Sequence, residues 1–120
     1  MATPRPGRRV RGSTTGRPIM ALLDLLGRRW ALRILWELRA GALTFRALQE
    51  ACGGTSPTVL NQRLKELGDS FLISLSSDGY ALTPLGHELR KAIMPLITWS
   101  THWARSIGKR RGTANGESRP

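Results

Sequence analysis

Between Thr44 and Leu67 the chain reads as a short helix, a glycine turn and a second helix, and few folds accommodate that arrangement. Leu60, Leu64 and Leu67 recur at helical spacing and give the second helix one apolar side. At about 100° per residue, Thr58, Asn61, Gln62 and Lys65 fall on the other side. That outward face carries no acid and four groups able to bond base edges or phosphates, as a helix lying in the major groove requires. An ordinary solvated helix face has the same composition, so the neighbouring segments decide between the two.

Ile19 to Leu26 reads as a short helix that is apolar on more than one side, which calls for burial by a partner element. A second helix is expected from Arg29 to Arg39, carrying Trp30, Ile34, Leu35 and Leu38, with Gly41 as its C-terminal cap. Thr44 caps a third helix, Phe45 to Ala51, with Leu48 toward the core. Gly53-Gly54 makes the turn; Ser56 is the next N-cap, and Pro57 suits a first helical position where its missing N–H is no loss. Gly68-Asp69 is the expected stop. Phe71 to Leu75 and Tyr80 to Leu82 read as short strands joined through Asp78-Gly79, a strong hairpin signal. Thr83-Pro84 repeats the cap-plus-proline start and opens a long helix to about Ile107. Pro95 lies inside it and predicts a kink near Lys91 to Met94. A helix-turn-helix followed by a hairpin is the layout of a winged helix: mainly α with one small β-hairpin. A merely solvated helix has no reason to be followed by a wing.

Charge separates the ends from the middle. Of the net +11, residues 1–18 contribute +5 through Arg5, Arg8, Arg9, Arg11 and Arg17, and residues 108–120 contribute +3. Residues 1–17 are almost without apolar side chains and are expected to be a disordered basic tail, as are residues 108–120; residues 18–107 form the one expected domain. Basic tails favour polyanions through counterion release. Arginine makes up 16 of the 19 basic residues, so a GC-rich genome is an alternative source of that charge. No apolar run approaches the ~18–20 residues of a membrane span, the first 18 residues lack the apolar block of a secretory signal, and the single cysteine, Cys52, allows no internal disulfide. A cytoplasmic protein without membrane contact is expected.

With these pieces in order, the chain resembles the HxlR-type winged helix-turn-helix regulators of bacteria, similar in plan to the MarR group. The resemblance rests on Leu26-Gly27-Arg28-Arg29-Trp30 with Ile34-Leu35-Trp36-Glu37-Leu38, on Phe45-Arg46-Ala47-Leu48, on Ser56 through Leu67, and on Tyr80-Ala81-Leu82-Thr83-Pro84-Leu85-Gly86. Trp99 sits where the last helix of that family often carries tryptophan. The resemblance implies a homodimer, built from the flanking first and last helices, on a two-fold-related operator. Ile19, Leu22, Leu23, Leu26, Leu96, Trp99 and Trp103 are the interface candidates, since they offer more apolar surface than one small domain covers. Two recognition helices would then lie about 34 Å apart on double-stranded DNA. Thr58, Asn61 and Gln62 are the expected base readers. Thr44, Arg46, Ser56, Arg63 and Lys65 are expected on phosphates, and Arg5, Arg8, Arg9 and Arg11 of the tail on flanking DNA.

Two features depart from the family pattern. Where several members carry an oxidant-sensing cysteine, just before the first-helix proline, this chain has Arg17 before Pro18, and Cys52 reads instead as a small buried apolar residue. The wing is short, and its tip carries Asp78 and no Lys or Arg.

Other chemistry finds little footing. His87 and His102 are 15 residues apart, over 20 Å along a straight helix at ~1.5 Å per residue, so a metal pair is not expected. No serine-hydrolase elbow or phosphate-binding loop is present. No enzyme, cofactor or metal is expected. The expected function is a dimeric, sequence-specific transcription regulator, with repression favoured. The alternatives are a sequence-tolerant nucleic-acid module driven by the tails, and a regulator whose small-molecule effector sits among Trp36, Trp99 and Trp103.

Overall fold

The computed structural model describes residues 3–7 and 17–116. In chain order the elements are α1 (Pro18–Leu26), α2 (Ala31–Glu37), α3 (Phe45–Ala51), α4 (Pro57–Asp69), β1 (Ile73–Ser76), β2 (Gly79–Leu82) and α5 (Pro84–Gly116). Two compact units divide the chain, residues 1–89 and 90–120, with the boundary inside α5.

The first unit is a helical cluster closed by a hairpin. Ile34, Leu38, Leu48, Leu60 and Leu67 are fully buried and meet Cys52, Leu72, Ile73 and Leu82 in one core. Each of α2, α3 and α4 contributes its apolar stripe to that core, which is why such short helices persist where isolated ones would melt. Burial, against the opposing influence of Arg33, raises the Cys52 thiol above its ordinary pKa, so the cysteine packs as a small apolar side chain.

β1 and β2 pair antiparallel, Ile73 with Leu82 and Ser76 with Gly79, around a two-residue tip of Ser77 and Asp78. The hairpin does not stand alone. Leu43, in the α2–α3 connection, exchanges both backbone hydrogen bonds with Tyr80, at 2.9 and 2.8 Å. This close approach explains Gly79: with φ at +112°, an added Cβ would lie 2.4 Å from the Leu43 carbonyl oxygen.

Several element boundaries differ from expectation. α2 starts at Ala31 rather than Arg29 because Trp30 is left-handed, with φ of +74°, and Arg28 is drawn inward as a buried side chain. It ends at Glu37 with Leu38 as its C-cap, so Gly41 does not cap it. α4, by contrast, ends at Asp69, within the expected Gly68-Asp69 stop, with a Ser70 cap whose hydroxyl donates to the Glu66 carbonyl at 2.8 Å. β1 begins at Ile73 rather than Phe71, because Phe71 is left-handed and the Leu72 N–H is used to close α4 on the Leu67 carbonyl.

Thr83 anchors the start of α5. Its hydroxyl accepts from the Gly86 N–H at 3.0 Å and donates to the Phe71 carbonyl at 2.7 Å, while its own N–H donates to the Leu72 carbonyl. The second unit holds the rest of α5, which runs past Pro95 and past Ile107 to Gly116. Residues 108–116 are therefore helical where a structureless tail is expected. No proline follows Pro95 before the helix ends, and extending a nucleated helix is far easier than starting one.

Candidate nucleic-acid interface

α3, the Gly53-Gly54 turn and α4 form the helix-turn-helix. Both N-caps act as the sequence suggests: the Thr44 hydroxyl accepts from the Ala47 N–H and the Ser56 hydroxyl from the Val59 N–H, each at 3.1 Å. Gly53 and Gly54 both have φ of +76°, the left-handed geometry that reverses the chain. The Gln49 side-chain amide spans the turn and donates to the Thr55 carbonyl at 2.9 Å. Leu60, Leu64 and Leu67 then fix the rotation of α4 by their burial, leaving Thr58, Asn61, Gln62 and Lys65 exposed on its far side.

Behind that face lies a polar network that sequence periodicity does not reveal. Glu66, on α4, is 2% exposed yet carries a carboxylate. It accepts from Arg28 in the α1–α2 turn, from Arg63 at 2.9 Å and from the Gln62 amide at 3.0 Å. Arg28 also reaches Asp24 of α1 at 3.3 Å, and Arg63 donates to the Arg29 carbonyl at 2.7 Å. Burial by itself would raise the Glu66 pKa; the Gln62 hydrogen bond and the two guanidiniums more than offset it and hold the carboxyl below its ordinary value. The available signal was the opposite-charge pair Arg63 and Glu66, three residues apart on the flank of an apolar stripe. Such pairs are usually surface pairs, and only the partner from the α1–α2 turn makes this one internal.

The remaining candidates are not equivalent. Lys65 is exposed and donates to Asp69 at 2.8 Å, and Arg46 is exposed beside Glu50 at 3.6 Å. Both are surface pairs of the weak kind that a phosphate can displace. Arg63, expected on phosphate, is instead turned toward Glu66 and the Arg29 carbonyl. Asp69 is kept below its ordinary pKa chiefly by Lys65, with Thr3 donating to it at 3.3 Å. Arg5 is exposed; Arg8, Arg9 and Arg11 lie outside the described residues.

The HxlR-like helix-turn-helix model matches residues 25–107, which span α2 to α4, the hairpin and most of α5. The chain belongs to the HxlR-like helix-turn-helix family. Among its relatives is the HTH-type transcriptional regulator MJ0925 of Methanocaldococcus jannaschii, 30% identical over 88 residues, or 70% of this chain and 83% of that protein. Quinone-bound YodB of Bacillus subtilis superposes with a TM-score of 0.67 at 27% identity, over 70% of this chain and 96% of YodB. A MarR-family regulator of Enterococcus faecalis shares the fold, with a TM-score of 0.69 at 24% identity over 85% of this chain and 99% of its own. This HxlR-like protein is thus a winged-helix, DNA-binding transcription regulator.

The apolar candidates of the HxlR-like chain fall into two sets. In α1, Ile19 and Leu23 are more than half exposed, while Leu22 is half-buried and Leu26 packs against the core. In the second unit, Leu96, Trp99 and Trp103 are all more than half exposed, and the two indoles stack at 6.2 Å between centroids. Trp36 is exposed, with the Arg39 guanidinium over its ring at 4.0 Å from the centroid. Among the described residues no helix is long and apolar enough to cross a membrane, and no three of His, Cys, Asp and Glu gather as metal ligands.

Proposed function

We propose that this HxlR-like regulator acts as a homodimer that represses transcription by occupying a two-fold-related operator. The observation that carries the reading is the outward side of α4. It is exposed and free of acid as far as Lys65, and its rotation is held by the burial of Leu60, Leu64 and Leu67 on the opposite side. Thr58, Asn61 and Gln62 read base edges there. Thr44, Arg46, Ser56 and Lys65 position the helix on phosphates, and Arg63 acts from behind by holding Glu66. Asp78 at the wing tip brings no positive charge to the minor groove, so flanking contacts fall to the arginines of residues 1–17.

The dimer follows from surface chemistry. Ile19 and Leu23 on α1, and Leu96, Trp99 and Trp103 on α5, are large apolar side chains exposed in contiguous stretches, as interfaces require. A repressor needs no more than stable occupancy of a site that polymerase must cross.

Selection of bound duplexes from a randomised pool tests the reading. Asn61→Ala should relax preference at particular base positions, by about 1–3 kcal/mol where a paired contact is lost. Lys65→Ala should weaken all duplexes alike. The same uniform loss from both substitutions would favour a sequence-tolerant module instead.

A further inference from the structure

We propose that Glu66 is a positioning residue for base reading: its buried carboxylate anchors the amide nitrogen of Gln62, so that Gln62 presents its oxygen, Oε1, to the DNA as an acceptor. The inference rests on α4 being the recognition helix.

The geometry leaves little freedom. Gln62 Nε2 donates to Glu66 Oε2 at 3.0 Å. An ionised carboxylate only accepts, so it is the nitrogen of the amide that must face inward and the oxygen that faces away. Glu66 cannot follow a rotation of Gln62, because Arg28 and Arg63 hold its two oxygens and Arg28 is itself tied to Asp24. An untethered glutamine on a helix surface presents either end of its amide and loses rotamer freedom on binding. Gln62 has one end committed before DNA arrives.

This changes what Gln62 reads. A glutamine free at both ends pairs with adenine through N6 and N7. With one Nε2 hydrogen held by Glu66, Oε1 is turned outward to accept from an exocyclic amino group in the major groove, N6 of adenine or N4 of cytosine, and only the second Nε2 hydrogen is left for N7.

The test uses the full chain and duplexes recovered from a randomised pool. The base pair whose preference disappears in Gln62→Ala marks the contact. Removing the amino group there, with purine for adenine or 2-pyrimidinone for cytosine, should weaken the wild-type chain roughly three- to tenfold and leave Gln62→Ala unaffected. A Gln62-dependent loss from a 7-deazapurine at that pair, with none from removal of the amino group, would mean that Gln62 reads through its nitrogen and would overturn the proposal.

Glu66→Gln supplies the second arm, since its neutral amide offers Gln62 either an oxygen or an NH2. It should reduce discrimination at that base pair alone, leave affinity for unselected DNA in place, and have no further effect in a Gln62→Ala background. A uniform loss on all duplexes, with or without Gln62, would reduce Glu66 to a structural role and overturn the proposal. The analogue arm decides the matter with wild-type protein even if Glu66→Gln folds poorly. Preferences that survive Gln62→Ala unchanged would overturn the proposal while leaving α4 as the reader through Asn61. Failure of the wild type to enrich any sequence would overturn the recognition-helix reading itself.

Discussion

Glu66 holds a negative charge with 2% of its surface exposed, and it does so because three donors converge on it from two parts of the chain. Glu66→Ala takes one carboxylate from Arg28 and leaves it Asp24, so a loss of about 1–3 kcal/mol in denaturant unfolding is expected. The pH dependence follows from the lowered pKa. In the unfolded chain Glu66 binds its proton near the ordinary glutamate value of about 4.3, and in the folded chain only below that. Its contribution is therefore complete above the unfolded value and is lost as pH falls through the folded one. Melting temperature should drop over the interval from the unfolded value down through the folded one. Glu66→Gln should start lower and decline less over that interval. Periodicity marks which residues of α4 face the core, but not that a charged one among them is internal, because its partner Arg28 lies 38 positions away.

Among the elements, the hairpin and the start of α5 depend on close backbone contacts that leave no room for a side chain. Gly86 lies in the first turn of α5, where an added Cβ would stand 2.1 Å from the Leu72 carbonyl oxygen and 3.3 Å from Leu82 Cδ2. Gly86→Ala must therefore push α5 away from the segment that closes α4. We expect a loss of about 1–3 kcal/mol by thermal or denaturant unfolding, even though alanine is the better helix former. Glycine within the Tyr80 to Gly86 stretch was visible in the sequence, but its reason was not. The caps Thr44 and Ser56, the proline starts at Pro57 and Pro84, and the turn at Gly53-Gly54 were all legible, because each acts within a few residues of itself. The α2 start and the β1 start were misplaced for the opposite reason. Trp30 and Phe71 adopt left-handed backbones that no local preference of tryptophan or phenylalanine suggests.

At the scale of the whole molecule, assembly and long-range charge set the testable outcomes. Trp103 is half exposed and stacked on Trp99, so Trp103→Asp puts a carboxylate into the proposed dimer contact. A monomer by sedimentation with lost operator binding is expected; a variant that stays dimeric would remove Trp103 from the interface. Residues 1–17 carry five arginines and no acid. Each one that displaces a phosphate counterion adds about 0.9 to the slope of log affinity against log salt. Deleting them should make that slope shallower and leave the ranking of operator sequences unchanged, while an unchanged slope would mean the tail does not touch DNA. The sequence by itself determined the order of helices and hairpin, their caps and the apolar side of α4, since hydrophobic period and turn chemistry are local properties. The tertiary structure alone decided that Arg63 faces inward, that Glu66 is buried with Arg28, that Leu43 pairs with Tyr80, and that Gly79 and Gly86 admit no side chain. Those outcomes depend on which backbone and which charge arrive from elsewhere in the chain, and no window along the sequence contains both partners.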